Sequence, residues 1–438
     1  MQKVYKRVAG LDVHKKSVVA TRMRVGAEER LEWETATFGT TTPELLDLHD
    51  WLQAWDCTHV AMESSGDYWK PVHNLLEDTF AVLLVNAQHV KRVPGRKTDV
   101  SDAEWLAELQ LHGLLKASFI PPKPQRALRE LSRYRTRLIQ ERARTVNRVQ
   151  KLLEGANIKL ASVVSDIQGV SAQAMLEQLA AGVEDAQALA QLARGRLRNK
   201  LPELEKALTG MVQAHHRFLL TKQLAHIEFL DEQIADMGAA IARQVEELSQ
   251  SAARNEDDTA PSDGPDTPAP VTWEQAVDLL DTVPGIDRQI AEMILAETGI
   301  AMQQFPTAHH LAAWAGVAPG NHESGGKRYS GRIRPGNRHL QTTLVQAAWA
   351  AVRTKGTFLK ARYHRLAARR GKKRAIVAIA HSMIVSIWYM LSRGEAYQEL
   401  GADYFDQRNK EAKVNYLTRQ LEKLTGGTVQ VAFQVAAA

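Results

Sequence analysis

The chain has 438 residues, 44% of them hydrophobic, and a formal net charge of +6; that is enough for two or three domains, each burying its own core. Its single cysteine, Cys57, excludes an intrachain disulfide and a cysteine-based zinc cluster, which suits a reducing cytoplasm. Residues 325–394 hold sixteen Lys or Arg and no Asp or Glu, leaving 40 basic against 50 acidic residues elsewhere, so a polyanion is the expected partner of that segment.

The start, Met1–Arg7, has no long apolar run behind its charges, so no signal peptide is expected. Residues 1–122 read as an α/β domain. Strands are expected at Arg7–Val13, Ser17–Val25, Arg30–Phe38, Val60–Glu63 and Phe80–Asn86, where Val, Ile and Thr are enriched and turns punctuate the chain. Thr42-Pro43 starts a helix with Thr as its cap, a second helix follows Tyr68, and a third begins near Asp99. Three strands, helix, strand, helix, strand, helix is the order of the ribonuclease-H-like fold. In it an antiparallel meander is extended by strands that return through helical crossovers.

Four carboxylates stand out in that order. Asp12 interrupts the apolar run Val8–Val13, Glu63 ends His59–Glu63, and Asp99 and Asp102 lie three apart at the start of the third helix. A carboxylate at a buried strand end is costly unless its charge is compensated. A bound cation is the simplest compensation, and Mg²⁺ favours such hard oxygen ligands. In the ribonuclease-H-like fold, whose element order this chain resembles, the first strand, fourth strand and last helix converge on one metal site, and these carboxylates fall on those three elements.

Residues 123–248 read as helical. Arg126, Arg129, Arg133, Arg137, Arg144 and Arg148 recur at helical spacing, countered between 126 and 151 only by Glu130 and Glu141. That stripe is either a nucleic-acid contact or a solvated helix face. Leu220, Leu224, Ile227, Leu230, Ile234, Met237, Ile241, Val245 and Leu248 step by three and four. They read as a coiled-coil seam joining two copies, or as the inner face of a bundle helix. Residues 249–271, acidic and Pro-rich, read as a linker.

A mainly α domain follows over 272–398. Thr272–Gln275 is a capping-box pattern. Val283-Pro-Gly-Ile-Asp287, followed by a helix over Arg288–Thr298, resembles a helix-hairpin-helix whose turn offers N–H groups to a DNA phosphate. Asp287 stands where a second glycine is usual, so a purely structural hairpin is an equal reading. Ala375–Leu391 is apolar over 17 residues but contains His381, Ser382 and Ser386. A membrane helix usually needs ~20 apolar residues, so a buried helix and no membrane partner are expected. No role is assigned to the tail, 399–438.

Within this domain lies Glu323-Ser324-Gly325-Gly326-Lys327-Arg328. The glycines let backbone approach a ligand closely, and Lys327 and Arg328 place positive charge beside the hydroxyl. Such a serine can attack a phosphodiester once polarised, with His322 or Glu323 as candidate base, or it can be an ordinary turn residue. Arg332, Arg334, Arg338, Lys372, Lys373 and Arg374, together with Arg126, Arg129, Arg133 and Arg137, complete the candidate nucleic-acid contacts.

The motifs Gly10-Leu-Asp12-Val-His-Lys, Met62-Glu63-Ser-Ser-Gly-Asp-Tyr-Trp and Lys97-Thr-Asp99-Val-Ser-Asp102-Ala resemble the DEDD motifs of the bacterial insertion-sequence family numbered 110, including its 1111 subgroup. Ala315-Gly-Val-Ala-Pro, Glu323–Gly326 and Arg332-Ile-Arg-Pro-Gly336-Asn337 are similar to that family's C-terminal transposase domain. The resemblance runs from about Val8 to Tyr397 and implies a transposase. It implies a RuvC-like domain binding Mg²⁺ through Asp12, Glu63, Asp99 and Asp102, and Ser324 as a nucleophile that forms a covalent phosphoserine link to DNA. It further implies double-stranded DNA as substrate, a structured guide RNA encoded by the element, and a homodimer assembling to a tetramer. A RuvC-type nuclease hydrolysing DNA with water, Ser324 idle, is the alternative. The linker is longer than the family leads one to expect, and the tail has no counterpart.

Overall fold

The N-terminal segments rich in β-branched residues pair as the alternation dictates. In the computed structural model, residues 4–26, 30–63, 66–86, 90, 101–257, 271–320, 322–408 and 410–428 are described. They fall in two units, Met1–Pro121 and Pro122–Ala438.

In the first unit, β1 (Arg7–Val13), β2 (Ser17–Val25) and β3 (Leu31–Gly39) form an antiparallel meander. Helix α1 (Thr42–Gln53) leads to β4 (His59–Glu63), which pairs parallel to β1; α2 (Trp69–Leu76) leads to β5 (Ala81–Val85), parallel to β4. The sheet order is β3-β2-β1-β4-β5, a five-stranded mixed sheet compatible with a ribonuclease-H-like fold. Thr41, not Thr42, caps α1. Its N–H and hydroxyl both bond the Glu44 carboxylate, which holds that carboxyl below its ordinary range.

Strand alternation divides the core. Ala9, Leu11, Val60 and Met62 pack with Leu45, Leu48 and Leu52 of α1 and Val72 and Leu76 of α2. The opposite face of β1 carries Val8, Gly10 and Asp12 and receives α3 (Asp102–Leu111), whose Ala107 and Leu111 pack on Val8 and Met23.

In the second unit, α4 (Lys123–Gly155) is followed by the shorter α5 (Leu160–Val163), α6 (Val170–Ala181), α7 (Ala186–Ala190) and α8 (Leu201–Leu208), and then by α9 (Ala214–Asp257). Helices α4 and α9 run antiparallel: Arg142 bonds Asp231 near their middle, and Arg148 and His216 line one hollow. Leu220, Ile227, Leu230, Ile241, Val245 and Leu248 are buried within the chain. Leu220 and Ile227 share a core with Val149 and Leu153 of α4. The N-terminal part of the seam expected to join two copies is therefore covered by the chain's own α4, while Ile234 and Met237 farther along are half-buried. Helix α9 also continues to Asp257, through the first part of the expected linker; residues 258–270 lie outside the described residues.

The C-terminal helices are α10 (Trp273–Asp281), α11 (Arg288–Thr298), α12 (Ala308–Trp314), α13 (Arg338–Ala351), α14 (Phe358–Arg370), α15 (Lys372–Arg393), α16 (Tyr404–Arg408) and α17 (Lys410–Thr425). The capping box at Thr272 and Gln275 forms. The α10–α11 turn is packed tightly into this unit. Gly285, at φ +85°, lies so close to α13 that an added Cβ would sit 2.4 Å from the Ala351 nitrogen. Asp287 caps α11, its Oδ1 accepting the Ile290 N–H at 2.8 Å. By length and composition α15 could cross a membrane. Ala375, Ile376, Ile379, Met383, Ile384 and Ile387 along one side of it are buried inside this unit, which accounts for its apolar character.

Candidate active site

The sheet register brings the first two carboxylates together. Leu11 of β1 pairs with Met62 of β4, so Asp12 and Glu63 are the next residues along and share the face that carries α3. Gly10 sets how closely α3 approaches. A Cβ there would meet the Ala103 carbonyl oxygen at 2.1 Å and the Ala107 nitrogen at 2.4 Å, so only glycine admits the helix. The Val4 and Tyr5 N–H groups both donate to the Leu111 carbonyl, at 2.9 and 3.1 Å. This pins the C-terminal end of α3 beside the start of β1 and carries its first turn, with Asp102, toward the ends of β1 and β4. Ser101 caps that turn by accepting the Glu104 N–H, and the helix dipole favours a carboxylate at Asp102.

Asp12 is partly buried, with 25% of its side chain exposed, and its Oδ2 lies 3.1 Å from Nε2 of His14. Asp102 is exposed. Asp99 lies outside the described residues. Among the described residues no three His, Cys, Asp or Glu side chains form a group that could hold a metal ion. The carboxylate donors at the ends of the inner strands β1 and β4 nevertheless match what a hard divalent cation takes.

Ser324 ends β6 (His322–Ser324), which pairs with β7 (Lys327–Ser330). Ser324 faces Lys327 across the turn, and Gly325 and Gly326 sit at φ +57° and +74°. Two positive φ angles in succession are the mark of a type I′ hairpin turn. The glycines read from sequence as admitting a ligand thus make the turn itself. The side chains of His322, Ser324 and Arg328 lie outside the described ones. Glu323, Lys327, Arg332 and Arg334 are exposed.

The base of this hairpin is tied down. The Gly320 N–H donates to the Arg332 carbonyl at 3.0 Å, and the Asn337 N–H to the Trp314 carbonyl at 2.9 Å. Gly316 and Gly336 are packed backbone to backbone. Asn337 caps α13 through Oδ1, which accepts the His339 and Leu340 N–H groups, while its Nδ2 donates to Glu297 Oε2 at 2.6 Å. Glu297, only 2% exposed, also receives Nε and an Nη of Arg133 at 2.6 and 2.9 Å, with Nε of Arg129 at 3.2 Å. Burial pushes the Glu297 carboxyl up, but the Arg133 bonds, the two guanidinium charges and Asn337 outweigh it and hold the group below its ordinary range.

This cluster corrects the reading of the arginine stripe. Arg129 and Arg133, expected on nucleic acid, point into the chain and clamp α4 to α11 and the start of α13. Arg129 also donates to the Ala296 and Glu297 carbonyls, and burial pulls it down to about 10, still charged at neutral pH. Arg135, outside the expected stripe, is buried on Glu292 at 2.8 Å. Arg126 is half-buried, while Arg137, Arg144, Arg148, Arg338, Lys372, Lys373 and Arg374 are exposed. Glu297 was not singled out from sequence, and Asn337 only as the end of the Arg332–Asn337 motif, with no role assigned. The one signal was an acid set among the apolar residues of Ile294-Leu-Ala-Glu297.

Comparison with known proteins gives two matches in chain order. Residues 9–158 match the transposase model of the DEDD IS110 type, and residues 277–364 match one described as transposase, IS116/IS110/IS902 family. Together they span more than half of the chain. A probable family 20 transposase of Pseudomonas aeruginosa is 27% identical over 346 residues, covering 77% of this chain and 85% of that protein. The transposase for insertion sequence element IS1111A of Coxiella burnetii is 28% identical, covering 72% of each.

Proposed function

The chain belongs to the IS110 family of transposases, enzymes that cleave and rejoin DNA, and from that premise we propose that it excises and inserts its own insertion sequence by serine-based strand exchange. The observation that carries the metal half is the register that sets Asp12 beside Glu63 at the strand ends toward which α3 brings Asp102. These three, with Asp99, would hold Mg²⁺. When bound, the ion supplies charge neutralisation and orientation at the scissile phosphate.

The remaining work falls to the chain. The Ser324 oxygen attacks phosphorus and forms an O–P bond; the bond from phosphorus to one deoxyribose oxygen breaks, and that oxygen leaves as a hydroxyl after taking a proton equivalent to the one lost by serine. Attack by a hydroxyl from another strand reverses these steps and frees the serine. The phosphodiester energy is retained, so no ATP is needed. The exposed cations Lys327, Arg332, Arg334 and Arg338 would neutralise phosphates near the hairpin. A homodimer that assembles to a tetramer on double-stranded DNA, with a structured guide RNA choosing the sequence by base pairing, completes the proposal.

Substitution separates the two halves. Asp12→Asn and Glu63→Gln should lower DNA cleavage roughly 10²–10³-fold. Mg²⁺ should raise the melting temperature of the wild type but not of Asp12→Asn. Wild-type cleavage by either variant would remove the metal from the account. Ser324→Ala should leave the Mg²⁺ response intact and abolish strand transfer.

A further inference from the structure

Helix α15 has a second side that its apolar character does not explain. His381, Ser386, Tyr389 and Arg393 recur along it and open on a cleft of about 450 Å³, within the ~300–1,000 Å³ typical of ligand pockets. His309 of α12, Arg362 of α14 and the segment 395–400 close the other sides. His381 and Ser386 are among the polar residues that break the hydrophobic run in the sequence, and here they line a common wall.

The lining has a definite chemistry. Arg393 sits 5.0 Å over the Tyr389 ring and Arg362 lies 5.9 Å from the Phe358 ring centre. Neither guanidinium is in an ion pair among the described residues. Tyr389 is 44% exposed, so ring surface is open to a ligand. The His309 and His381 rings are 6.2 Å apart. Burial, then the charges of His309 and Arg362, pull His381 below its ordinary range, leaving a neutral imidazole with one donor and one acceptor. Glu395 is the carboxylate in the lining. Cations for a phosphate, an open ring for a base and neutral hydrogen-bonding groups for its edge are the parts that recognise a nucleotide.

We propose that this cleft takes one unstacked nucleotide from a single-stranded stretch of the nucleic acid bound along residues 325–394. A fully paired duplex keeps its bases stacked and cannot fill it without flipping one out. The proposal rests on the reading of that segment as a nucleic-acid face.

The test uses the full-length protein and a short single strand carrying 5-iodouracil, made once as DNA and once as RNA. After irradiation and digestion, the adduct should map to the peptide containing Tyr389 or Phe358, and the stronger of the two probes names the natural strand. Tyr389→Ala should weaken single-strand binding roughly tenfold, Tyr389→Phe should restore it, and binding of a blunt duplex should not change in either. Adducts confined to other peptides, or equal single-strand affinity in Tyr389→Ala, would overturn the cleft while leaving the basic segment as a nucleic-acid face. Failure of the wild type to bind any single strand or duplex would overturn both.

Discussion

Glu297 ties α4, α11 and the start of α13 together within the second unit. One buried carboxylate satisfies Arg129, Arg133 and Asn337 at once, and Asn337 in turn starts the helix that follows the hairpin. Removing one partner of a buried charge network leaves the others unpaired, which typically costs about 3–5 kcal/mol. Glu297→Gln should lose stability on that scale in urea unfolding of the full chain; a loss within experimental error would mean the cluster contributes little. The sign with pH follows from the direction of the shift. Its folded-state carboxyl is held below the ordinary 4.5, so its contribution is complete above that value and disappears as pH falls through the folded value. Wild-type stability should decline below about pH 4.5 more steeply than that of Glu297→Gln. Sequence spacing put Arg129 and Arg133 on one helix face. It gave no means of telling that these two turn inward while Arg137, Arg144 and Arg148 stay exposed, because their partner Glu297 lies far along the chain.

At the scale of elements, the proposed mechanism places its chemistry on two features, α3 packed on β1 and the β6–β7 hairpin. Gly10→Ala would place a methyl group against the α3 backbone and should cost about 1–3 kcal/mol while shifting Asp102 and lowering cleavage. Cleavage and thermal stability both at wild-type values would show that α3 approaches less closely. At the hairpin, Gly326→Val forces a β-branched residue to φ +74°. It should abolish strand transfer with little change in melting temperature, whereas Gly325→Asn, suited to a type I′ turn, should be tolerated. The strands were legible to within a residue or two because β-branched alternation is a local signal. The same pattern fixed which residues of β1 face α3. The sequence offers a turn at Ser324 as one of two readings beside ligand approach, but the two short strands on either side of it are not read, although Gly-Gly is itself a hairpin signal. At the α10–α11 turn the sequence does not show that Gly285 packs against α13, because α13 is remote in sequence.

For the whole molecule, the division of charge is the governing feature. A segment with sixteen cations and no acid should bind nucleic acid with a steep dependence on salt, each phosphate contact adding about 0.9 to the slope of log K against log[salt]. Replacing Lys372, Lys373 and Arg374 together with Gln should weaken binding alike for all sequences and reduce that slope by up to about 2.7. An unchanged slope would place these exposed residues off the nucleic acid. Burial of the α9 seam shows the limit of periodicity at this scale: a heptad-like stripe records that a helix face is covered, not whether a second copy or the same chain covers it.

The central claim is the covalent link at Ser324. The direct measurement incubates full-length protein and Mg²⁺ with labelled DNA carrying the sequences that flank its own element, denatures the mixture, and maps any adduct by mass spectrometry. A DNA-linked peptide containing Ser324, absent from Ser324→Ala, is the expected result. Cleaved DNA with no adduct, together with normal cutting by Ser324→Ala, would contradict it and assign the reaction to water.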